Sequence, residues 1–492
     1  MLFNYFFLLP ENYLLFSIFF IFCYLVLNLF SNKSNFIRQD NFIIYLAVII
    51  LLNTLILHCV MYSYNFGLKD LLYKDDTTNG FCIINIVIAL LYLVGFSNLL
   101  RVYNINSFEF IILILLSVYS INMLVCSVNL ISFYLLIELQ SICFYTLAAF
   151  SRKNKYSIEA GLKYFILGSF SSVLLLFGIS ILYGFSGLLY YEDISMFFVN
   201  FNNIEASSKL YNIYILSIAF MLTGMLFKLY SFPFHFWVSD IYQGSPFLST
   251  VFFSIFPFIS LFYIFMKLYI NIFIFFYESF VIFFMISSIG SMVVGMLGAI
   301  QQKKIRRLIA YSSITGTGYY LMIFVAPDFH IIKHIFFFII VYTINVFGIF
   351  LCFSNLVTLN GRINIERFIS LGGLYRYNKY LSLCIILLLF SIAGLPPFPT
   401  FLAKLYLLFD LYNYKLYLFM FFIIITTIIS FYYYLRISKI ILYNNISHWI
   451  YLRNISYIPM LLIIYILFFN ICLIIKPSLL LNIIEYILID FF

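Results

Sequence analysis

Residues 381–409 read LSLCIILLLFSIAGLPPFPTFLAKLYLLF. An apolar run without the period-2 alternation of a half-buried strand stops at Gly394, Pro396, Pro397 and Pro399, then resumes around a single cation, Lys404. Proline has no N–H to give a helix, and glycine accepts the left-handed turn that ends one, so four breakers in six residues describe a helix cut in two. The segment is longer than the roughly 20 residues that cross about 30 Å of hydrocarbon. Unwound backbone at that depth persists only inside protein or beside a wet cavity, so the stretch predicts a broken membrane helix next to an internal lysine.

The rest of the chain agrees. Of 492 residues, 65% are hydrophobic, 22% aromatic and only 9% charged, with a mean hydropathy of +1.09. Soluble domains carry about 25% charged residues, which excludes a water-soluble enzyme, a nucleic-acid binder and a disordered chain. Lipid-facing strands need ten-residue alternating segments, which are missing, so an outer-membrane barrel is excluded too. The fold class expected is an all-α polytopic membrane protein with about 14 transmembrane helices. Spans fall near 13–30, 42–63, 81–100, 108–126, 128–150, 161–186, 211–232, 245–271, 279–299, 308–325, 331–357, 381–409, 415–441 and 456–475, with only Ser127 between the fourth and fifth. The gaps 64–80, 187–210 and 358–380 are too short to fold alone.

The net charge of +9 reads as topology. Loops after odd-numbered spans hold 17 of the 27 Lys and Arg, the other loops hold 7, and Lys163, Lys228 and Lys404 lie inside spans. By the positive-inside rule the richer side faces the matrix or cytoplasm, and both termini face away from it. MLFNYFFLLPENYLLF at 1–16 has no basic n-region, cleavage site or Arg/Ser-rich amphipathic stretch, so no cleaved leader is expected. The abundance of Phe, Tyr, Ile and Asn fits A+T-rich codons and predicts an organellar gene.

A second breaker, Pro233 in LYSFPFHFW (229–237), frees the carbonyl of Leu229 and fits either a kink or another break. It lies in span seven and the first in span twelve. A five-span offset is what two five-helix repeats produce, spans 4–8 and 9–13, and an odd number of spans inverts the second copy. The organisation expected is a three-helix segment at 1–107, repeats at 108–271 and 279–441, and a C-terminal helix and tail at 442–492.

Ionisable side chains in mid-span cost about 2.5–3.5 kcal/mol on insertion scales, so each is a functional candidate. Glu138, in SFYLLIELQSICFY, has no cation within a turn and needs a partner from another helix. Lys163 follows Glu159 by four residues, a spacing that also suits a local ion pair. Lys228 precedes the Pro233 break by a turn, and Lys404 follows the other by two turns. His235, beside Trp237 and Asp240, is balanced between a relay and a packing role; His58 reads as a packing residue, and His330, His334 and His448 sit near interfaces. Eight cysteines read as small buried hydrophobes without metal-ligand spacing. Gly316 and Gly318 lack the strand context and third glycine of a dinucleotide site, and the Gly and Ser residues of 168–172 and 290–298 read as close helix packing.

MLFKLYSFPFHFWVSDIYQGSPFLST (225–250), KKIRRLIAYSSITGTGYYLM (303–322) and SIAGLPPFPTFLAKLYLLF (391–409) together resemble the antiporter-like membrane subunits of respiratory complex I. The YQGSP segment resembles the subunit 2 branch. The resemblance runs from roughly 130 to 410 and implies a proton-translocating subunit of the mitochondrial inner membrane, driven by quinone reduction elsewhere in the complex. By its motif, Glu138 and Lys228 would be the mid-membrane pair of a first half-channel, Lys163 would modulate them, and Lys404 would end a second half-channel. It implies no cofactor or metal in this chain, since NADH, flavin, iron–sulfur clusters and quinone belong to other subunits. The partners implied are other complex I membrane subunits, above all the antiporter-like subunit 4 and the small subunit beside it, with lipids and protons but no nucleic acid. One departure stands out: the family's lysine in span eight is replaced by Phe258. A hydrated gap lined by Ser254, Tyr342 and Asn345 is therefore expected to bridge Lys228 and Lys404. The alternatives are a subunit of a multi-subunit cation/proton antiporter and a structural membrane-arm scaffold.

Overall fold

The structure is a computed structural model that describes residues 8–31, 36–60, 66–68, 71–102, 108–201, 209–358, 367–444, 450–452 and 457–488. The two chain termini lie outside the described residues. Helices dominate: α1 (Leu9–Ser31), α2 (Phe36–Val60), α3 (Asp76–Val102), α4 (Phe108–Val125), α5 (Leu130–Ala148), α6 (Lys155–Ser186), α7 (Tyr191–Phe201), α8 (Lys209–Lys228), α9 (Phe236–Gly244) and α10 (Phe247–Asn271). They continue as α11 (Tyr277–Gln301), α12 (Ile305–Leu321), α13 (Phe329–Ser354), α14 (Leu374–Tyr377), α15 (Lys379–Ala393), α16 (Pro399–Asn413), α17 (Tyr417–Tyr443), α18 (Tyr457–Ile475) and α19 (Ser478–Leu488). A short antiparallel hairpin, β1 (Phe66–Leu68) with β2 (Leu72–Lys74), and a long-range antiparallel pair, β3 (Leu356–Thr358) with β4 (Ile450–Leu452), tie loops together.

Among the described residues, eleven helices are long and apolar enough to cross a membrane. The remaining three expected spans are helical as well. The first is the short apolar stretch Leu9–Tyr24 of α1, the tenth is the 17-residue α12, and the twelfth is the pair α15 and α16. The split at Ser127 is where the sequence places it, because Asn129 caps α5 by accepting the Ile131 N–H at 2.9 Å. Asn154 and Asn378 cap α6 and α15 in the same way. Two segments expected as loop or tail are helical, α7 within 187–210 and α19 after Lys476; both are short and apolar on one face.

Contacts sort the loops into two faces. On one, Lys304 bridges Arg367, the Arg306 guanidinium donates to Ser245 O at 2.8 Å, and Arg307 pairs with Asp240. On the other, Leu72 bridges Ser127, the Lys267 amine donates to Ser127 O at 2.9 Å, and Lys333 pairs with Glu485. The first set joins loops after odd-numbered spans and the second joins loops after even-numbered ones, as alternate crossings require.

The core is α10 against α13, the two most enclosed long helices. Both are apolar all round, which is the pattern of a helix surrounded by other helices. Close approach elsewhere depends on small residues: a Cβ at Gly295 of α11 would lie 2.7 Å from the Thr315 nitrogen of α12.

Candidate functional site

Both predicted breaks are present, and both are complete. α8 ends at Lys228 itself, and the chain turns through Tyr230 at φ +46° before α9 begins at Phe236. The Tyr230 N–H donates to Phe227 O at 3.0 Å and the Ser231 N–H to Leu226 O at 3.1 Å, a Schellman closure. The kink reading of Pro233 is thereby corrected: the helix has already stopped, and Pro233 only prevents it from restarting. α15 closes in the same manner at Gly394, φ +82°, with its N–H to Ser391 O at 3.0 Å and the Leu395 N–H to Phe390 O at 3.3 Å.

Around the first break lies a cavity of about 30 Å³, room for one or two waters, lined by Ser141, Tyr164, Lys228, Trp237 and Tyr242 among others. The Lys228 amine sits 5.9 Å from the centre of the Tyr145 ring, and the Trp237 indole N–H has no protein partner among the described residues. Glu138 and Lys228 form no ion pair within 4.0 Å of each other. The link is Ser141, whose hydroxyl lies 3.3 Å from Glu138 Oε2 and which itself lines the lysine's cavity.

Lys163 goes elsewhere. Its amine pairs with Glu159 at 2.7 Å and Asp240 at 3.6 Å, Asp240 pairs with Arg307 at 2.8 Å, and all four side chains are 36–57% exposed in a cleft of about 160 Å³. It stands at the face shared by the starts of α6 and α12, outside the Lys228 cavity. His235 is buried between the rings of Phe232 and Phe236, with Nδ1 lacking a protein partner among the described residues, and it too is outside that cavity.

Lys404 is 5% exposed and donates to Ala393 O at 3.1 Å, the last carbonyl of α15, where the helix dipole favours a cation. The Ser430 hydroxyl shares that carbonyl at 3.3 Å, and the Thr400 hydroxyl donates to Ser391 O. A separate cavity of about 20 Å³ beside Lys404 is rich in hydroxyls, with Ser312, Tyr319, Tyr342 and Tyr434 on its wall. Tyr342 lines the cavity of the second lysine, its hydroxyl 3.0 Å from that of Ser312.

The expected hydrated bridge at Phe258 is not what the structure holds. Phe258 is 4% exposed and packs between Tyr230 (ring centroids 5.5 Å) and Tyr320 (4.9 Å), and Tyr320 continues to Phe338 and Tyr342. Ser254 turns its hydroxyl to Val251 O of its own helix, and Asn345 accepts from Asn470. The two lysine cavities share no wall residue. Rings of this size fill the volume a lysine stem would occupy, and Pro257, which the sequence reading passed over, lines the first cavity and leaves Phe253 O without its usual helical donor.

Two charged clusters escaped the sequence. His334 Nδ1 and Asp410 Oδ2 lie 2.6 Å apart, with Asp410 on α16 less than two turns beyond Lys404. An Asp inside the apolar run 401–416 was the available signal. Near the opposite end of the chain, Glu11, His58 and Lys74 form a buried cluster, Lys74 Nζ at 3.0 Å and His58 Nε2 at 3.4 Å from Glu11 Oε1. Burial, the largest single influence, lowers the Lys74 amine's pKa, but the charge and hydrogen bond of Glu11 together with Cys126 and Cys82 hold it above the ordinary value. Their loop and helix-end positions hid them. Cys82 and Cys126 approach Glu11 there, with ligand atoms within 4.8 Å of one another.

Comparisons with known proteins fit this geometry. A family profile described as "NADH:quinone oxidoreductase/Mrp antiporter, TM" matches residues 127–430. "NADH-quinone oxidoreductase subunit N" of Pelagibacter ubique is 32% identical over 94% of this chain and 96% of its own length. "NADH-ubiquinone oxidoreductase chain 2" of Marchantia polymorpha is 38% identical over 70% of each chain. In shape, a chain of respiratory complex I from Thermus thermophilus superposes with a TM-score of 0.77 at 21% identity, covering 96% of this chain and 98% of that one. A chain of the Mrp complex from Dietzia sp. reaches 0.80 at 16% identity, covering 97% of each.

Proposed function

Because the chain belongs to the NADH:quinone oxidoreductase/Mrp antiporter transmembrane family, we infer that it is the subunit 2 (bacterial subunit N) component of the membrane arm of respiratory complex I, NADH:ubiquinone oxidoreductase. It is a multi-pass inner-membrane protein and a part of a proton-translocating oxidoreductase, with other complex I subunits as its partners. The observation that carries the reading is full-length similarity to subunit N joined to two broken helices, each with a lysine at the break. The Mrp likeness is one of fold at 16% identity, whereas the 32–38% identities are all to complex I subunits, so the cation/proton antiporter reading ranks second.

The chain itself moves protons in this proposal. Lys228, poised between Ser141 and the charge of Glu138, takes a proton when the acid is ionised and releases it when that charge is neutralised. Lys163 with Glu159, Asp240 and Arg307 forms an exposed collecting surface rather than a modulator of the pair. Lys404 is the terminal station of the second half, and His334 with Asp410 leads from it along α16 to the opposite face. Supporting the repeat organisation at 108–271 and 279–441 are the matched closures at Tyr230 and Gly394. The basic face lies toward the matrix, the termini lie opposite, and subunit 4 with the small subunit beside it are the neighbours. The gene is organellar, and no cofactor is bound by this chain.

The test is Glu138→Gln in the assembled complex. Assembly should be retained while NADH-driven proton uptake into vesicles falls several-fold; unchanged uptake per NADH oxidised would refute a relay through Glu138.

A further inference from the structure

We propose that Glu11, His58, Cys82 and Cys126 form a structural zinc site that staples the N-terminal helices α1, α2 and α3 to the end of α4. The four residues lie far apart in the chain, on the first turn of α1, the last turn of α2, the second turn of α3 and just past the end of α4. Packing brings a carboxylate oxygen of Glu11 and the sulfurs of Cys82 and Cys126 within 4.8 Å of one another. His58 Nε2 adds a fourth donor 3.4 Å from Glu11 Oε1. All four residues are at most 2% exposed.

Two groups in this cluster lack what a metal ion would supply. Glu11 Oε1 takes the Lys74 ammonium at 3.0 Å, but Oε2 is buried with no hydrogen-bond partner among the described residues. A buried carboxylate oxygen left bare is costly, and a cation beside it removes the cost. The second group is the imidazole. Asn79 Nδ2 donates to His58 O at 3.2 Å, so Asn79 Oδ1 is the acceptor that faces His58 Nδ1 at 2.7 Å, and Nδ1 carries the ring proton. Nε2 is thereby left with a lone pair turned toward a carboxylate oxygen. A second ring proton would set two cations against one buried carboxylate, whereas a metal ion accepts the lone pair directly. A ring N–H anchored to a neighbour is the usual support of a metal-bound histidine.

The donors select the metal. Two sulfurs, an imidazole and a carboxylate oxygen make a tetrahedral zinc set, while magnesium and calcium take oxygen and copper(I) takes sulfur in preference to a carboxylate. Zinc bonds of about 2.0–2.3 Å put ligand atoms about 3.3–3.8 Å apart, so the cluster closes by about 1 Å, within reach of side-chain rotation. Charge agrees as well. Without metal, the Cys82 thiol donates to Asn122 O at 3.6 Å, and the Glu11 carboxylate and Lys74 ammonium cancel. On binding, Zn²⁺ bonds both sulfurs and each thiol gives its proton to water, so two thiolates and the carboxylate balance the ion's two charges and the ammonium. The buried cluster is neutral before and after, and Lys74 holds the ligating carboxylate in place through Oε1. The ion is structural and takes no part in electron transfer.

The complex is purified, equilibrated with Zn²⁺, desalted and analysed by native mass spectrometry with this subunit ejected and weighed. The wild-type chain should carry the mass of one zinc less two protons, and fragmentation of that ion should place the metal on pieces that span residues 11–126. Cys126→Ala should be ejected without zinc, and Glu11→Gln, which keeps the shape but not the charge, should cut zinc occupancy about tenfold or more. Should a variant fail to assemble, the fragment map of the wild type decides alone. A wild-type chain of bare mass, one lighter by two hydrogens through a Cys82–Cys126 disulfide, zinc on fragments outside 11–126, zinc retained by Cys126→Ala, or copper or iron in place of zinc would each overturn the proposal.

Discussion

The two broken helices share a closure but use their lysines differently. At the first break the lysine is the final residue of α8 and faces across to another helix, where its nearest acid, Glu138, acts through Ser141. At the second, the lysine lies in α16 and reaches back over the gap to the Ala393 carbonyl. A carboxylate can be neutralised by a proton, and a backbone carbonyl cannot. The difference makes Lys228 a site whose charge can be switched by its partner and Lys404 a site whose partner is fixed. The backbone repeats the contrast, since Gly394 adopts its left-handed turn without cost while Tyr230 holds one against the strain of a Cβ.

The strongest test of the separation between the breaks is Phe258→Lys. If the rings of Tyr230, Phe258 and Tyr320 are packing and not a relay, a lysine there finds no prepared partner and destabilises the protein by about 3 kcal/mol, the mid-membrane insertion cost. A higher thermal midpoint of the assembled complex, or a gain in proton uptake, would break the comparison. Gly394→Ala should cost about 2 kcal/mol, because a left-handed alanine is strained and its Cβ would lie 2.9 Å from Lys404 Nζ. Thermal dissociation of the complex reads this directly, and an unshifted midpoint would count against the tight seat of Lys404.

Smaller effects sharpen the same contrast. Lys228→Met should lower NADH-driven proton uptake about tenfold, equivalent to about 1.4 kcal/mol, with the complex assembled. Tyr230→Gly should lower the thermal midpoint by the equivalent of about 1 kcal/mol, because the roughly 3 kcal/mol lost with a buried ring packed on Phe258 and Trp237 outweighs the roughly 2 kcal/mol regained by relieving the left-handed tyrosine. Lys163→Gln should change proton uptake less than twofold, because its exposed ion pairs are weak and its cleft is separate from the Lys228 cavity. A tenfold loss there would restore Lys163 to the inner pair.

Much of this protein is written in one dimension. Hydrocarbon thickness converts directly into a run length, so the apolar segments, their loop charges and the breakers at 394–399 were readable without any partner helix. The same holds for Glu138, Lys228 and Lys404, because an ionisable group inside an apolar run declares its cost wherever it lands. Pairings are another matter. Which residue meets Lys228 depends on how α5 and α8 are rotated against each other, and a helix about as apolar on every face carries no signal of that rotation. Lys163 illustrates the limit: its spacing to Glu159 was legible, but its sharing of Asp240 with Arg307 required α6, α9 and α12 to converge at one face. The Glu11–Lys74 contact joins residues 63 positions apart, and the ring stack at Phe258 draws on α8–α9, α10 and α12. Sequence fixes what each segment must do with water and lipid, since that is a sum over its own residues; only the tertiary structure decides which buried charges become neighbours, since that is a property of packing between segments.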